Sequence, residues 1–344
     1  MKEFNLENLV RPNILQLKPY SSARDEYEGN TGVFLDANEN PFGNLNRYPD
    51  PYQKEVKEQL STIKKIPVSQ IFLGNGSDEV IDLAFRIFCT PGRDKALVFT
   101  PTYGMYEVSA NINNIELLQL PLNKDFQIDK DTVIPVLKDE NLKLIFICSP
   151  NNPTGNSIDN IDFILENFNG IVFVDEAYID FSTRKSWSEK LDQYPNLIIS
   201  QTFSKARGLA AVRVGIAYSS PEIIALFNKT KPPYNVSQLN QEAALVALVD
   251  EKKYHDEIQA ILKEKVRVEK ALAKLPVVKN IYPSDANFIL AEVTEADKIY
   301  NNLVEQKIIT RNRNNIVANC IRVTIGTPQE NDQLIAALKA YKNR

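Results

Sequence analysis

A single histidine, His255, occurs in the 344 residues, inside the charged stretch EKKYHDEIQ. With one imidazole and no close pair of cysteines, zinc sites of the usual types are excluded, and no metal site is expected. A Ser-His-Asp triad would have to use His255, which reads as a residue on a solvated helix face. Acid–base chemistry near neutral pH therefore falls to lysine, tyrosine or a bound cofactor. Cysteine is also scarce: Cys89, Cys148 and Cys320 are widely separated and odd in number, so they imply buried thiols and no disulfide framework. No apolar run reaches the roughly 18–20 residues that span a bilayer. An excess of basic charge is missing too, with 40 Lys+Arg against 44 Asp+Glu and a net charge of −4. That balance gives no footing for nucleic acid. The opening MKEFNLENLVRPN lacks an apolar signal core and carries acidic residues, which leads to an expectation of a cytoplasmic protein.

What is present is ordinary in bulk and ordered in detail. Hydrophobic residues at 43% and charged ones at 24% suit a soluble globular chain, and the length suits two domains. Residues 1–28 read as an arm that packs on something else. From about residue 50, helix-spaced segments (PYQKEVKEQLSTIKK, DEVIDLAFRIF, YGMYEVSANI, NIDFILENF) alternate with short apolar runs (KALVFT, IELLQL, LKLIFIC, GIVFVD, NLIISQTF, VRVGIAY). The last four of these runs are short enough for strands buried on both faces, and the interleaving of strands with helices predicts a mostly parallel sheet flanked by helices. The stretch from about 237 to 274 reads as one or two long helices. After it come two strands (NFILAEV and CIRVTIG), a helical piece and a last helix. Thr327, Pro328 and Glu330 supply that last helix with a capping box. The expected organisation is α/β: an arm at 1–28, a large domain at 29–245, and a smaller α+β domain at 246–344.

Ligands of open α/β sheets bind beyond the carboxyl ends of the strands. Three such ends carry unusual text: LKLIFIC runs into SPNNPTG, GIVFV into DEAY, and LIISQTF into SKARG. They bring Asn152, Asp175, Tyr178, Ser204 and Lys205 toward one rim.

Nine ordered motifs give these residues a family likeness. They are DANENPFG (36–43), RYPD (47–50), GNGSDE (74–79), PTYGMY (101–106), CSPNNPTG (148–155), DEAYIDF (175–181), SKARGLAAVRVG (204–215), SDANFI (284–289) and IRVTIGT (321–327). Together they resemble the fold-type I pyridoxal-phosphate aminotransferases, and within them the histidinol-phosphate aminotransferases, over nearly the whole chain. The resemblance implies a pyridoxal 5'-phosphate cofactor, with Lys205 as the Schiff-base lysine; an amine is required because only an amine condenses exchangeably with the cofactor aldehyde. It implies that Asp175 pairs with the pyridine nitrogen, keeping the ring cationic and able to accept electrons. Tyr178, with Asn152, would hydrogen-bond the phenolic oxygen. Lys205, Asp175 and Tyr178 form the implied catalytic set.

For the phosphate, the same resemblance implies the backbone at Gly76, Ser77 and Asp78 at a helix start, the hydroxyls of Thr202 and Ser204, and Arg213. Tyr103 would stack on the cofactor ring. Tyr48 would reach the phosphate bound by a neighbouring subunit, which implies a homodimer with shared sites. Arg322 would clamp the carboxylate of glutamate or 2-oxoglutarate, with Asn38 nearby. Arg311, with Tyr20 from the partner's arm, is the candidate for the substrate phosphate; strand alternation puts Arg313 on the same face. The expected reaction is reversible transamination of histidinol phosphate with 2-oxoglutarate, giving imidazole-acetol phosphate and glutamate, a step of histidine biosynthesis. Threonine-phosphate decarboxylase and aromatic-amino-acid aminotransferase activities are the alternatives within this fold, and a non-catalytic pyridoxal-phosphate-binding protein is the alternative outside catalysis.

Overall fold

The computed structural model describes residues 4–20 and 32–341. Seven strands, β1 (Ile71–Asn75), β2 (Lys95–Thr100), β3 (Glu116–Pro121), β4 (Leu142–Cys148), β5 (Ile171–Asp175), β6 (Leu197–Thr202) and β7 (Val214–Tyr218), form one sheet in the order β1-β7-β6-β5-β4-β2-β3. Strands β2 to β6 pair in parallel, whereas β7 is antiparallel to both β6 and β1. Helices α1 (Pro12–Gln16) and α2 (Lys54–Lys64) precede the sheet. Helices α3 (Ser77–Phe88), α4 (Met105–Ile112), α5 (Lys130–Val136) and α6 (Ile161–Asn167) lie between its strands, and α7 (Pro221–Thr230) follows it.

The continuous apolar runs have a simple cause. All of β5 is buried, and its alternate side chains serve two cores. Val172 and Val174 join Ile145 and Ile147 under α2 and α6, while Ile171 and Phe173 join Phe146 and Phe85 under α3 and α4. A strand covered on both faces has no polar side to display. Strands β1 and β8 lie outside the runs expected from sequence. In β1, Gly74 and Asn75 cut the apolar run to three residues, and its pairing with the reversed β7 makes it a strand.

Helices α8 (Gln238–Val249) and α9 (Glu251–Leu272) meet at Asp250 and lead to a second sheet. Its strands β8 (Val278–Ile281), β9 (Phe288–Val293), β10 (Arg311–Asn312) and β11 (Cys320–Thr324) are all antiparallel, in the order β10-β11-β9-β8. Helix α9 packs on it with α10 (Ala296–Glu305) and α11 (Pro328–Ala340), through Val268, Leu272, Ile299 and Leu334 against Ile289 and Ala291. Helix α11 opens on the expected capping box: Thr327 Oγ1 accepts from the Glu330 amide, and Glu330 accepts in return from the Thr327 amide at 2.7 Å. A small cluster joins the two bodies, with Tyr178, Phe181 and Ala206 from the rim of the large sheet meeting Ile258, Ala286 and Phe288. The described part of the arm packs on its own chain: Val10 and Ile14 are buried in the same core as Phe85 and Ile87. The rest of the arm expectation falls largely on residues outside those described.

Candidate active site

The carboxyl rim of the parallel strands faces the small sheet across a cavity of about 560 Å³, a size usual for small-ligand sites. Lys205 and Asp175 both line it, as do Tyr178, Asn152, Tyr103, Ser77, Asp78, Thr202, Ser204 and Arg213. On the opposite wall stand Arg311, Arg313 and Arg322. Of the cavity's sequence-expected residues, Gly76 adjoins it through Arg213.

Lys205 follows β6 in a turn shaped by Thr202, whose Oγ1 donates to the Val214 carbonyl at 3.3 Å and accepts from the Ser204 amide at 3.1 Å. Its Nζ lies 5.6 Å from the centre of the Tyr178 ring. Burial, then the Arg322 charge, holds its ammonium below the usual lysine range, while Asp175 works in the opposite direction. Two residues on, Arg207 anchors the turn to the α8–α9 junction. Its guanidinium donates to the Ala247 carbonyl at 2.8 Å and to Glu251 at 2.6 Å, and it lies 3.7 Å over the Tyr254 ring.

Asp175 ends β5 with a relative exposure of 3%. Burial pushes its carboxyl up to about 6, against the lowering effect of hydrogen bonds from Tyr106 and the Ala177 amide. The Tyr106 hydroxyl donates to Oδ2 at 2.8 Å and the Ala177 amide to Oδ1 at 3.1 Å. The Tyr106 contact escaped the sequence reading. The available signal was the three-residue spacing from Tyr103, which sets both rings on the inner side of the α4 start.

At the other end of the cavity, α3 starts on Gly76, which has φ of +80° and leaves the helix without a side-chain cap. A Cβ on Gly76 would stand 2.6 Å from Arg213 Nη2, and one on Gly215 of β7 would stand 2.3 Å from both the Gly76 carbonyl carbon and the Ser77 nitrogen. Only glycine at both positions lets strand, helix start and guanidinium converge. Arg213 Nη1 lies 3.4 Å from Ser204 Oγ, and Nη2 lies 3.4 Å from the Asp78 carboxylate, which also accepts from the Tyr103 hydroxyl at 3.1 Å. The arrangement offers uncapped amides, a hydroxyl and a planar cation to one anion.

The facing wall is cationic. Residues Arg311 and Arg322 are register partners across β10 and β11. Among the described residues none of the three arginines forms an ion pair, and the buried Nε atoms of Arg313 and Arg322 have no hydrogen-bond partner. Burial first, then the charges of Arg322 and Arg311, pulls the Arg313 guanidinium down to about 10. Arg322 donates to Asn152 Oδ1, and Asn152 Nδ2 lies 3.4 Å from the Tyr178 hydroxyl. Three residues expected at the site are elsewhere in the single chain. Tyr20, Asn38 and Tyr48 line a separate depression of about 910 Å³, where Tyr48 stacks on Tyr234 at 4.5 Å, and this depression shares no lining residue with the Lys205 cavity.

A family model for aminotransferase class I and II matches residues 26–338. The chain belongs to that family. Histidinol-phosphate aminotransferases of Cytophaga hutchinsonii and Parabacteroides distasonis are 51% and 52% identical to it, each over 98% of this chain and 99% of its own length. The solved histidinol-phosphate aminotransferase of Clostridium acetobutylicum superposes with a TM-score of 0.78 at 25% identity, covering 86% of this chain and 90% of that one. At 22% identity and a TM-score of 0.72, an L-threonine-O-3-phosphate decarboxylase of Porphyromonas gingivalis shares the fold over 86% of this chain and 90% of its own. The enzyme is thus an aminotransferase of fold type I, as the ordered motifs implied. Its cavity fits pyridoxal phosphate by two independent features: a glycine cradle that any Cβ would fill, and a buried carboxylate.

Proposed function

We propose that this enzyme catalyses the reversible transamination of histidinol phosphate with 2-oxoglutarate, a step of histidine biosynthesis, using Lys205 and pyridoxal phosphate. The observation that carries the reading is one cavity holding Lys205, Asp175 and an anion cradle opposite three unpaired arginines. The names and full-length likeness of the relatives support the choice of substrate.

Bound there, the cofactor supplies an aldehyde that condenses with amines and a cationic ring that takes up the electron pair left when the substrate α-carbon loses its proton. The chain's residues do the rest. Lys205, whose ammonium is held below the usual lysine range by burial, would lift the α-proton and return it at the cofactor's carbonyl carbon. Asp175 would accept the hydrogen bond of the protonated ring nitrogen and so keep that nitrogen cationic. Tyr178 and Asn152 orient the phenolic oxygen. Arg213, Ser204, Thr202 and the amides of Gly76, Ser77 and Asp78 hold the phosphate, and Tyr103 covers the ring. Arg322, fixed by Asn152, takes the carboxylate of 2-oxoglutarate; Arg311 takes the substrate phosphate. Because both half-reactions bring a dianion to one wall, unpaired cations suit them where preformed ion pairs would compete.

Tyr20 and Tyr48 are assigned to the site of a second copy of the chain, making a homodimer with shared sites. The exposed Val33, Leu35, Phe42, Val246 and Val249, together with the depression lined by both residues, support that assembly. The arm at 1–28, the large domain at 29–245 and the small domain at 246–344 are the proposed divisions. No helix among the described residues is long and apolar enough to cross a membrane, and a cytoplasmic location is proposed.

The test measures glutamate formation with histidinol phosphate, tyrosine and phosphothreonine as parallel amino donors. Histidinol phosphate is expected to give the highest kcat/KM. Carbon dioxide release from phosphothreonine would overturn the substrate assignment while leaving the cofactor assignment standing.

A further inference from the structure

We infer that Tyr106 is a positioning residue for transamination, whose buried hydroxyl keeps the Asp175 carboxyl ionised and aimed at the cofactor's ring nitrogen. The inference rests on the reading of Asp175 given above. Tyr106 is fully buried, and its ring is stacked on Phe146 at 4.9 Å and 18°. That stack, with Phe146 itself held by Phe85 and Phe173, fixes where the hydroxyl points. It is the only side chain among the described residues that donates a hydrogen bond to Asp175.

The electrostatic problem at Asp175 is desolvation. A carboxyl taken out of water shifts toward its neutral acid, and a neutral acid cannot keep a proton on a pyridine nitrogen. The other groups facing it divide between the two signs. Lys205 favours the ionised form, whereas Asp78 opposes it. The hydroxyls of Tyr103 and Tyr178 and the thiol of Cys148 are neutral neighbours, each held protonated chiefly by burial. Burial likewise keeps the Tyr106 phenol protonated, so it acts toward Asp175 as a donor. Together with the Ala177 amide it supplies one donor to each carboxylate oxygen. Removing it leaves a stronger base at Asp175, which draws the shared proton from the ring nitrogen and becomes a neutral acid at higher pH.

The experiment uses holoenzyme of the wild type and of Tyr106→Phe, which keeps the stacked ring. Reconstitution with cofactor labelled with nitrogen-15 in its ring lets NMR report ring protonation directly. In Tyr106→Phe the ring resonance is expected to move toward its unprotonated position at neutral pH. The acid limb of the kcat/KM profile should shift upward by about one unit, a tenfold change in the protonation equilibrium. The KM for 2-oxoglutarate should stay within about twofold, since no uniform binding contact is lost. Should the phenylalanine variant not fold, site-specific 3-fluorotyrosine at 106, a stronger donor, must move both signals the opposite way. An unmoved resonance, or a loss of activity equal at every pH, overturns the assignment to Tyr106. Asp175→Asn serves as the control: if it too leaves the resonance unmoved, the failure lies in the reading of Asp175 as the ring partner.

Discussion

The two walls of the cavity are built differently. On the wall formed by the large sheet, three polar groups have partners within the chain: Asp175 with Tyr106 and Ala177, Thr202 with Val214 and Ser204, Arg213 with Ser204 and Asp78. The groups sit at the ends of fully buried strands or on the first turn of a helix, where the backbone leaves little freedom. The small-sheet wall carries three arginines on a two-residue strand, its hairpin and β11, with two buried Nε atoms unpartnered. The difference separates what must be constant from what must be exchanged. On the proposed reading, one wall is organised around a group that stays and the other meets anions that come and go.

Four substitutions break or sharpen that contrast. Lys205→Ala should be the most severe, lowering kcat by at least about 10⁴-fold and removing the visible absorbance of the internal cofactor linkage. Single-turnover kinetics and absorbance spectra check it. Asp175→Asn comes next, with kcat reduced about 10²- to 10³-fold and cofactor binding weakened but measurable, because the amide keeps the shape and loses the charge. Unchanged turnover would remove the electrostatic role given to that carboxylate. On the other wall, Arg322→Gln should raise KM for 2-oxoglutarate about 10- to 100-fold with a smaller loss in kcat, since a charge-assisted contact to a carboxylate is worth roughly 1.5–3 kcal/mol. If kcat falls as far as in Asp175→Asn, the two walls are not functionally distinct. The mildest change, Thr327→Ala, removes the α11 cap. It should cost about 1 kcal/mol of stability, read by denaturant or thermal melts, and leave turnover unchanged.

The large-sheet wall was legible in the sequence for the same reason that it is rigid. A buried strand ends abruptly, so Asp175 and the turn to Lys205 stand out against IVFV and LIISQTF. Thr327, Pro328 and Glu330 announced α11 because capping is local chemistry. Tyr106 was hidden because its partner is 69 residues away and becomes a neighbour only when the start of α4 folds over the sheet so that its side chain reaches the end of β5. The strand β1 was hidden because two polar or small residues end it, and only pairing with β7 completes it. Tyr20, Asn38 and Tyr48 illustrate another limit. Motif likeness marked them, yet one copy of the chain holds them around a separate depression.

The abutment of Gly215 on the start of α3 sets a tolerance for the whole anchor. With main chain touching main chain at Gly215, the distance from sheet to helix start has no adjustable spacer, and a single added carbon there becomes a wedge. Change at exposed positions elsewhere leaves the proposed phosphate seat where it is; change at this buried contact relocates it.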